Sequence, residues 1–472
     1  MSQKRAYFIG IAGMGMSAAA ILLKEQGWEV GGSDTEVYPP ATTQLERHRI
    51  PYYTSYNPAQ IPKDVELIVI GKNAKLTRKN PEVRAAYESG VRIASFPEIL
   101  GEIVKDRSPI VVAGSYGKST TTALIAWMLS RSGVDAGWFI GAAPEGMEPA
   151  HLGTHSVFVL EGDEYPTSHE DSRPKFAHYA PRDALITAAS HDHVNIYKTQ
   201  EEFLKPFRQL VKELPTNGLL VLCAEEKYAQ SLSKETSAQV VLYGMNPAAT
   251  WRAANIIHAE KTTFDLVHNS QRIAKLSTTL LGDHNVQNTV GASALLIEKK
   301  LLTPEQVAAA LPAFRGLARR LDKKTSRARV SAYEGFGSSR EKLQAAIQAL
   351  RVQHPEKRLV VVFEPHTFSW RNKKMLYWFD DAFEGAGLVI LYKPAEQGAD
   401  THDQATQEEM AERLFAIGID VRPSATPEEV MQTLASEIRD GDVMLLSSSG
   451  PMDGLITSIP LWLETHLGHG VS

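Results

Sequence analysis

Residues Gly114-Ser115-Tyr116-Gly117-Lys118-Ser119-Thr120-Thr121-Thr122 follow the apolar run Ile110–Ala113 and open a helix-forming stretch. A buried strand, a glycine-containing loop and Lys-Ser at a helix start is the order that binds phosphate. Backbone N–H groups face the anion, and the helix N-terminus adds partial positive charge. In that arrangement Lys118 reaches the outer phosphates and the Ser119 hydroxyl binds Mg²⁺. Gly114 and Gly117 allow the backbone a close approach. Two residues separate these glycines, where the common phosphate loop has four. The bland alternative, a glycine turn before any helix, accounts less well for the strand–loop–helix order.

Three further groups could do chemistry. Gly10-Ile11-Ala12-Gly13-Met14-Gly15 leads from one apolar run toward a second that ends at Ser33-Asp34. It does not have the Gly-x-Gly-x-x-Gly spacing of dinucleotide sites, so a nucleotide turn and an ordinary strand–helix turn both stand. An NAD-dependent oxidoreductase built on it would leave the second loop unexplained. Glu161-Gly162-Asp163-Glu164-Tyr165 follows the apolar run Val157–Leu160. Carboxylates at a strand end suit a hard cation such as Mg²⁺, although acidic runs are commonly solvated loops. His191-Asp192-His193 follows Ala184–Thr187 and reads either as a metal-binding pair or as a structural one. Glu364-Pro365-His366-Thr367 follows Leu359–Phe363, and strand ends of open α/β sheets are where ligands bind. His366 and Arg371 there could meet an acceptor's carboxylate or be loop surface.

The elements that must position these residues alternate. Short apolar strands are expected at Ala6–Ile9, Glu29–Gly31, Leu67–Ile70, Arg92–Ala94, Ile110–Ala113, Val157–Leu160, Ala184–Thr187, Leu219–Leu222, Leu359–Phe363, Gly387–Leu391 and Val443–Leu446. Helical or turn-like segments separate them, which predicts parallel sheets in an α/β fold. Gln239–Leu281 reads as a β-rich insertion. Boundaries near Lys105–Pro109 and Pro312–Gly316 divide the chain into 1–107, 108–313 and 314–472. Lys4 and Arg5 before the nearly uncharged run Ala6–Leu23 imitate an export signal. Three interrupting glycines favour a strand (Ala6–Ile9), a turn (Gly10–Gly15) and a helix (Ser17–Gln26) instead.

Composition sets the outer limits. The chain has 472 residues, 43% hydrophobic and 22% charged, a globular balance that excludes disordered and fibrous classes. Fifty Lys and Arg against 55 Asp and Glu give a net charge of -5, without the basic excess of a nucleic-acid binder. No stretch is long enough to insert in a membrane. The single cysteine, Cys223, allows no intrachain disulfide and reads as a small buried hydrophobe. Trp138 and Phe139 read as core.

Taken together, the motifs resemble the Mur ligase family of ATP-dependent amide-forming enzymes of peptidoglycan assembly. The short Gly-x-x-Gly-Lys-Ser-Thr-Thr loop is similar to that family's phosphate loop. Further markers are Ser33-Asp34 to Tyr38-Pro39-Pro40, Asn80-Pro81, Glu161 to Tyr165, Lys175 to Tyr179 with Pro181-Arg182, Gly282 to Asn285 with Asn288, and Arg319-Arg320-Leu321. The resemblance covers nearly the whole chain. It implies three α/β domains: an N-terminal Rossmann-like one (1–107) for a UDP-sugar, a central phosphate-loop ATPase-type one (108–313), and a Rossmann-like C-terminal one (314–472) for acceptor and closure. Gly10, Gly13, Gly15, Ser33 and Asp34 would hold the UDP-sugar rather than a dinucleotide. Gly114, Ser115, Tyr116, Gly117, Lys118, Ser119 and Thr120 would hold ATP phosphates, with His284, Asn285, Asn288 and Arg320 (or Arg319) toward the rest of the nucleotide. Ser119 and Glu161 would bind one Mg²⁺, and His193 a second. Lys118 and His193 are the implied catalytic residues. The implied reaction joins UDP-N-acetylmuramate to an amino acid or a recovered peptide through an acyl phosphate, in the cytoplasm.

The resemblance is incomplete in places. Ala188-Ala189-Ser190 replaces the family's Asn-rich strand end, Asn195 stands where Asp is common, and Pro166–Glu170 departs after the acidic run. The family's Tyr-Asp-Asp-(Tyr/Phe)-Ala-His-His-Pro becomes Tyr333-Glu334-Gly335-Phe336-Gly337-Ser338-Ser339-Arg340, and Ser447–Gly454 also differs. Two readings follow: an active ligase with a re-tuned loop or acceptor, or a nucleotide-binding regulator without catalysis. Retention of Lys118, Ser119, Glu161 and His193 favours activity.

Overall fold

We describe a computed structural model of the chain, covering residues 3–192, 196–259, 261–395 and 403–468. These form three sheets of an α/β fold. The first is all parallel, in the order β3-β2-β1-β4-β5, with β1 Arg5–Ile9, β2 Glu29–Ser33, β3 Tyr52–Tyr53, β4 Leu67–Ile70 and β5 Arg92–Ala94. The second has ten strands: β6 Ser108–Ala113, β7 Gly137–Phe139, β8 Ala150–His151, β9 Val157–Gly162, β10 Asp183–Ile186, β11 Leu219–Cys223, β12 Gln239–Gly244, β13 Trp251–Ile257, β14 Thr262–His268 and β15 Gln271–Thr278. Its order is β15-β14-β13-β12-β11-β10-β6-β9-β7-β8, parallel from β13 to β7 and antiparallel beyond at both edges. The third is β16-β17-β21-β18-β19-β20, with β16 Arg320–Lys323, β17 Ser331–Gly335, β18 Leu359–Phe363, β19 Leu388–Tyr392, β20 Val421–Ser424 and β21 Val443–Ser447. Only β16 runs antiparallel there.

The chain gathers into two compact units. One holds the first two sheets and runs to Ile257, then takes Lys261–Thr279 and Asn285–Gly316. The other holds the third sheet, with Leu280–His284 and Leu317 onward.

Local sequence explains the parts that matter for function. Residues Ile110–Ala113 of β6 are buried on both faces, as the middle strand of a covered parallel sheet requires. Helix Lys118–Arg131 then buries every residue from Thr121 to Leu129. Helix Met14–Glu25 likewise buries Met16 to Leu23. Burying its Ile21, Leu22 and Leu23 is worth roughly 1.5–3 kcal/mol per side chain. Trp138, Phe139 and Cys223 are buried, and burial pushes the Cys223 thiol up to about 12. Among the described residues no helix is long and apolar enough to cross a membrane.

Candidate active site

At the end of β6 the chain enters a loop that only glycine can trace. Gly114 has φ +148°, and a Cβ there would lie 2.2 Å from Thr187 Oγ1. Gly117 has φ +80°, and its Cβ would lie 2.7 Å from Asn288 Oδ1. The loop rests on the end of β10: Ser115 N–H donates to Ala188 O (3.1 Å), and Thr187 Oγ1 donates to Tyr116 O and to Ala113 O (3.3 Å). The Tyr116 hydroxyl donates to Glu226, which also accepts from Ser190 Oγ (3.0 Å). Asn288, with Asn285 at 3.1 Å, is buried behind Gly117.

Lys118 is the electrostatic centre. Its ammonium lies 3.1 Å from Gly114 O and 3.4 Å from Glu164 Oε2, and Glu164 is fully buried. Burial pushes the Lys118 pKa down, but Glu164, Asp163, Glu161 and Asp192 together push it well above the ordinary lysine value. Ser119 Oγ donates to Glu161 Oε1 at 2.7 Å, and Gly141 N–H donates to Oε2 at 2.7 Å. Burial raises the Glu161 pKa against the opposing pull of Lys118 and these two hydrogen bonds. Asp163 is held well below the usual carboxylate range, because Lys175 (2.5 Å away) and Lys118 outweigh its burial.

The residues present fit ATP and Mg²⁺. Ser115 Oγ is buried in the loop and has no hydrogen-bond partner among the described residues. A phosphate oxygen would supply the missing partner for a hydroxyl so placed. Added Cβ atoms at Gly114 and Gly117 would strike Thr187 and Asn288, which back the loop, so glycine holds the loop's shape there. Ser119 and Glu161 are adjacent oxygen donors. Magnesium typically takes one or two carboxylates and completes its shell with phosphate and water.

The other expected residues fall as follows. His193 and Asn195 lie outside the described residues. His191 is tied to the fold: its backbone N–H donates to Gln200 Oε1 (2.8 Å) and its ring Nε2 meets Tyr197 O (2.8 Å). Gly10 (φ +89°) turns the chain after β1, and Gly10 and Ile11 donate to Ser33 O at 2.8 and 3.1 Å. Asp34 accepts from Ala12 N–H (3.0 Å) and from Tyr56 (2.8 Å), so it shapes the glycine turn. Ser33 Oγ points back to Glu82 (2.8 Å), a fully buried carboxylate that Tyr7 also bonds at 2.8 Å. Gly13 caps helix Met14–Glu25, whose N-terminus has no side-chain cap. Gly15 packs against the Phe96 ring.

In the second unit, burial brings the His284 pKa down to about 4, with Asp283 opposing and Arg320 reinforcing the shift. Arg319 is committed to the fold: it pairs with Glu334 at 2.8 Å and donates to Gly450 O at 2.8 Å. Arg320 is exposed, with its guanidinium 5.2 Å from the Phe336 ring. His366 Nδ1 lies 3.1 Å from Ser449 Oγ, and burial beside Arg371 and Arg319 lowers its pKa. Arg371 is 5% exposed and donates to Ala395 O at 2.5 Å, so its guanidinium is bonded to the backbone rather than presented at the surface. The altered stretch Tyr333–Arg340 is stitched in place. Glu334 binds Arg319 and Lys324, Trp370 Nε1 donates to Gly337 O (2.9 Å), and Arg340 pairs with Asp381.

Glu164, Gly141, Thr187 and Glu226 complete the site without a role read from the sequence. Glu164 lay inside the acidic run, but Gly141 and Glu226 come from distant loops with no local signal.

A strand, a glycine cradle, a lysine among carboxylates and a Ser–Glu oxygen pair form a phosphate-loop arrangement, one that fits a nucleotide's phosphates. Comparison with known proteins extends this. Residues 5–108 match the Mur ligase family catalytic domain model, and residues 112–296 match the Mur ligase middle domain model. The chain is 30% identical over 463 residues to the UDP-N-acetylmuramate–L-alanyl-γ-D-glutamyl-meso-2,6-diaminoheptandioate ligase of Escherichia coli, covering 96% of each chain. It is 29% identical over 459 residues to the UDP-N-acetylmuramate–L-alanine ligase of Desulforapulum autotrophicum, covering 95% of this chain and 96% of that one. In fold it is similar to the UDP-N-acetylmuramate-alanine ligase of Thermotoga maritima, at 20% identity, with TM-score 0.80 and coverage of 98% of this chain and 99% of that one. The chain belongs to the Mur ligase family.

Proposed function

We propose that the protein is an ATP-dependent ligase that joins the carboxylate of UDP-N-acetylmuramate to the amine of an amino acid or peptide. The observation that carries this reading is Lys118 and Ser119 on a glycine cradle beside Glu161, within a chain of this family. The carboxylate oxygen attacks the γ-phosphorus of ATP, ADP leaves, and an acyl phosphate forms. The amine then attacks the acyl carbon, phosphate departs, and the amine's proton is lost. Lys118 holds the phosphates and neutralises charge on the moving phosphoryl group. Mg²⁺, when bound by Ser119 and Glu161, supplies further charge neutralisation there.

We assign residues 1–107 to the UDP-sugar, 108–313 to ATP and 314–472 to acceptor and closure, in a cytoplasmic enzyme. Gly10, Gly13 and Gly15, at a helix start without a side-chain cap, suit the diphosphate. His193 joins the metal set by family position. The test is phosphate release from ATP with UDP-N-acetylmuramate, offered single amino acids and, separately, the L-Ala-γ-D-Glu-diaminopimelate tripeptide. Release only when both acid and amine are present supports the reading. ATP binding without release under every pairing would favour the regulator.

A further inference from the structure

Lys72 stands just beyond β4, half-buried, and its surroundings are unusual for a lysine. Its ammonium donates to Pro166 O at 3.4 Å and lies 5.8 Å from the centre of the Tyr165 ring. No carboxylate comes within ion-pairing distance of it among the described residues. Lys175 lies on the same aromatic ring, 6.0 Å from its centre, and is held by Asp163 at 2.5 Å. Burial and the neighbouring Lys175 cation both lower the Lys72 pKa, while Asp163 and Asp171 pull it up. Asp171 is already engaged by Arg173 and His178.

Two lysines share one tyrosine ring, and only Lys175 has a carboxylate at ion-pairing distance, so a further anion beside Lys72 would relieve the repulsion between them. A neutral residue at position 72 would avoid the repulsion. The place also matters. Lys72 follows β4 of the first sheet, whereas Lys175 pairs with Asp163, a carboxylate that also feels Lys118 of the phosphate loop. The loop carrying Pro166 is docked onto the 72–78 segment by His169 on Asn73 O (2.9 Å) and Arg78 on Glu170 (3.2 Å). Gly71, next to Lys72, lies against Gly10, so an anion at Lys72 would be near the turn expected to hold the UDP-sugar and on the side of Asp163, which feels Lys118.

We propose that Lys72 binds the carboxylate of the acid substrate, the group that receives the phosphoryl, with Lys175 held beside it by Asp163. The inference rests on the function proposed above. Lys72 acts by orienting the carboxylate oxygen toward the phosphate loop while lowering its freedom to move.

The test compares wild type with Lys72→Ala, Lys72→Gln and Lys72→Arg. Expected for Ala and Gln is a rise of at least tenfold in both Kd and KM for UDP-N-acetylmuramate. The KM for ATP should stay within twofold. The inhibition constant of UDP, which carries the diphosphate but no carboxylate, should also stay within twofold. Lys72→Arg should recover most of the loss. Unchanged affinity for UDP-N-acetylmuramate overturns the inference, and so does equal weakening of UDP, which would assign Lys72 to the diphosphate. A wild-type protein that binds ATP but not UDP-N-acetylmuramate overturns the proposed function and this inference together. Normal wild-type turnover with an indifferent Lys72→Ala overturns the inference alone.

Discussion

Replacing Lys118 with methionine keeps most of the side chain's bulk and removes its charge. The ammonium lies 3.4 Å from buried Glu164. At an effective dielectric near 20, that single attraction is about 5 kcal/mol before desolvation is counted. Removing one partner of a buried pair typically costs about 3–5 kcal/mol, because the other charge is stranded. The nucleotide-free variant should therefore unfold several degrees below wild type at pH 7.5 in calorimetry. The deficit should depend on pH. Without Lys118, the pKa of Glu161, already raised by burial, rises further in the folded state. A carboxylate whose folded pKa is raised binds protons more tightly folded than unfolded, so lowering the pH from 8 to 5 favours the folded variant and narrows the gap. Lys118 stays protonated in wild type over that range, so its own contribution there is constant. Phosphate release should fall by roughly 10²–10³-fold or more. Lys118→Arg should restore stability more than turnover. A Lys118→Met protein with wild-type melting at every pH, or turnover within tenfold of wild type, would refute the assignment.

Four further outcomes are expected. Glu161→Gln should raise the Mg²⁺ concentration for half-maximal phosphate release by tenfold or more, read by Mg²⁺ titration at fixed ATP; an unshifted titration would remove Glu161 from the metal site. Gly117→Ala places a Cβ at positive φ and 2.7 Å from Asn288 Oδ1, so ATP affinity by calorimetry should drop at least tenfold. His284 is neutral above about pH 4, so His284→Asn should leave the shape of the pH–rate profile from 5.5 to 8 unchanged while raising the KM for ATP; loss of an ionisation near pH 6.5 would contradict its buried state. Arg319→Ala strands part of the charge of buried Glu334 and frees two backbone carbonyls, costing about 2–4 kcal/mol. Arg320→Ala should leave melting unchanged and raise the KM for ATP; the reverse pattern would exchange the two roles.

Strands that are short, apolar and buried were readable from the residue pattern alone, and Leu67–Ile70 and Leu359–Phe363 fall where expected; Arg92–Ala94 does too, although Arg92 is exposed. Polar ends were not, because ladder partners decide them. β9 runs on through Glu161 and Gly162 by pairing with Val112 and Ala113, so Glu161 sits on a strand rather than in a solvated loop. Helix Met14–Glu25 begins inside the expected glycine turn because Gly13 serves as its cap. Two-residue strands such as β3 and β8 carry no periodicity to detect. At the site, the phosphate loop was legible because its chemistry is local. The carboxylate set around Lys118 and the Tyr116–Glu226 link arise from long-range contacts. The difference between Arg319 and Arg320 was equally hidden, since adjacent arginines look alike until one is seen bonded to Glu334.

The way Gly114 and Gly117 are wedged against Thr187 and Asn288 has a thermodynamic consequence. The loop's shape is fixed during folding, by contacts that need no nucleotide. An incoming triphosphate therefore meets a finished mould, and little of its binding free energy goes into ordering the backbone. Such a loop also has nowhere to relax. A bulky side chain on either glycine or an enlargement of Thr187 would be felt at the phosphates as a displaced amide, in a protein that otherwise folds.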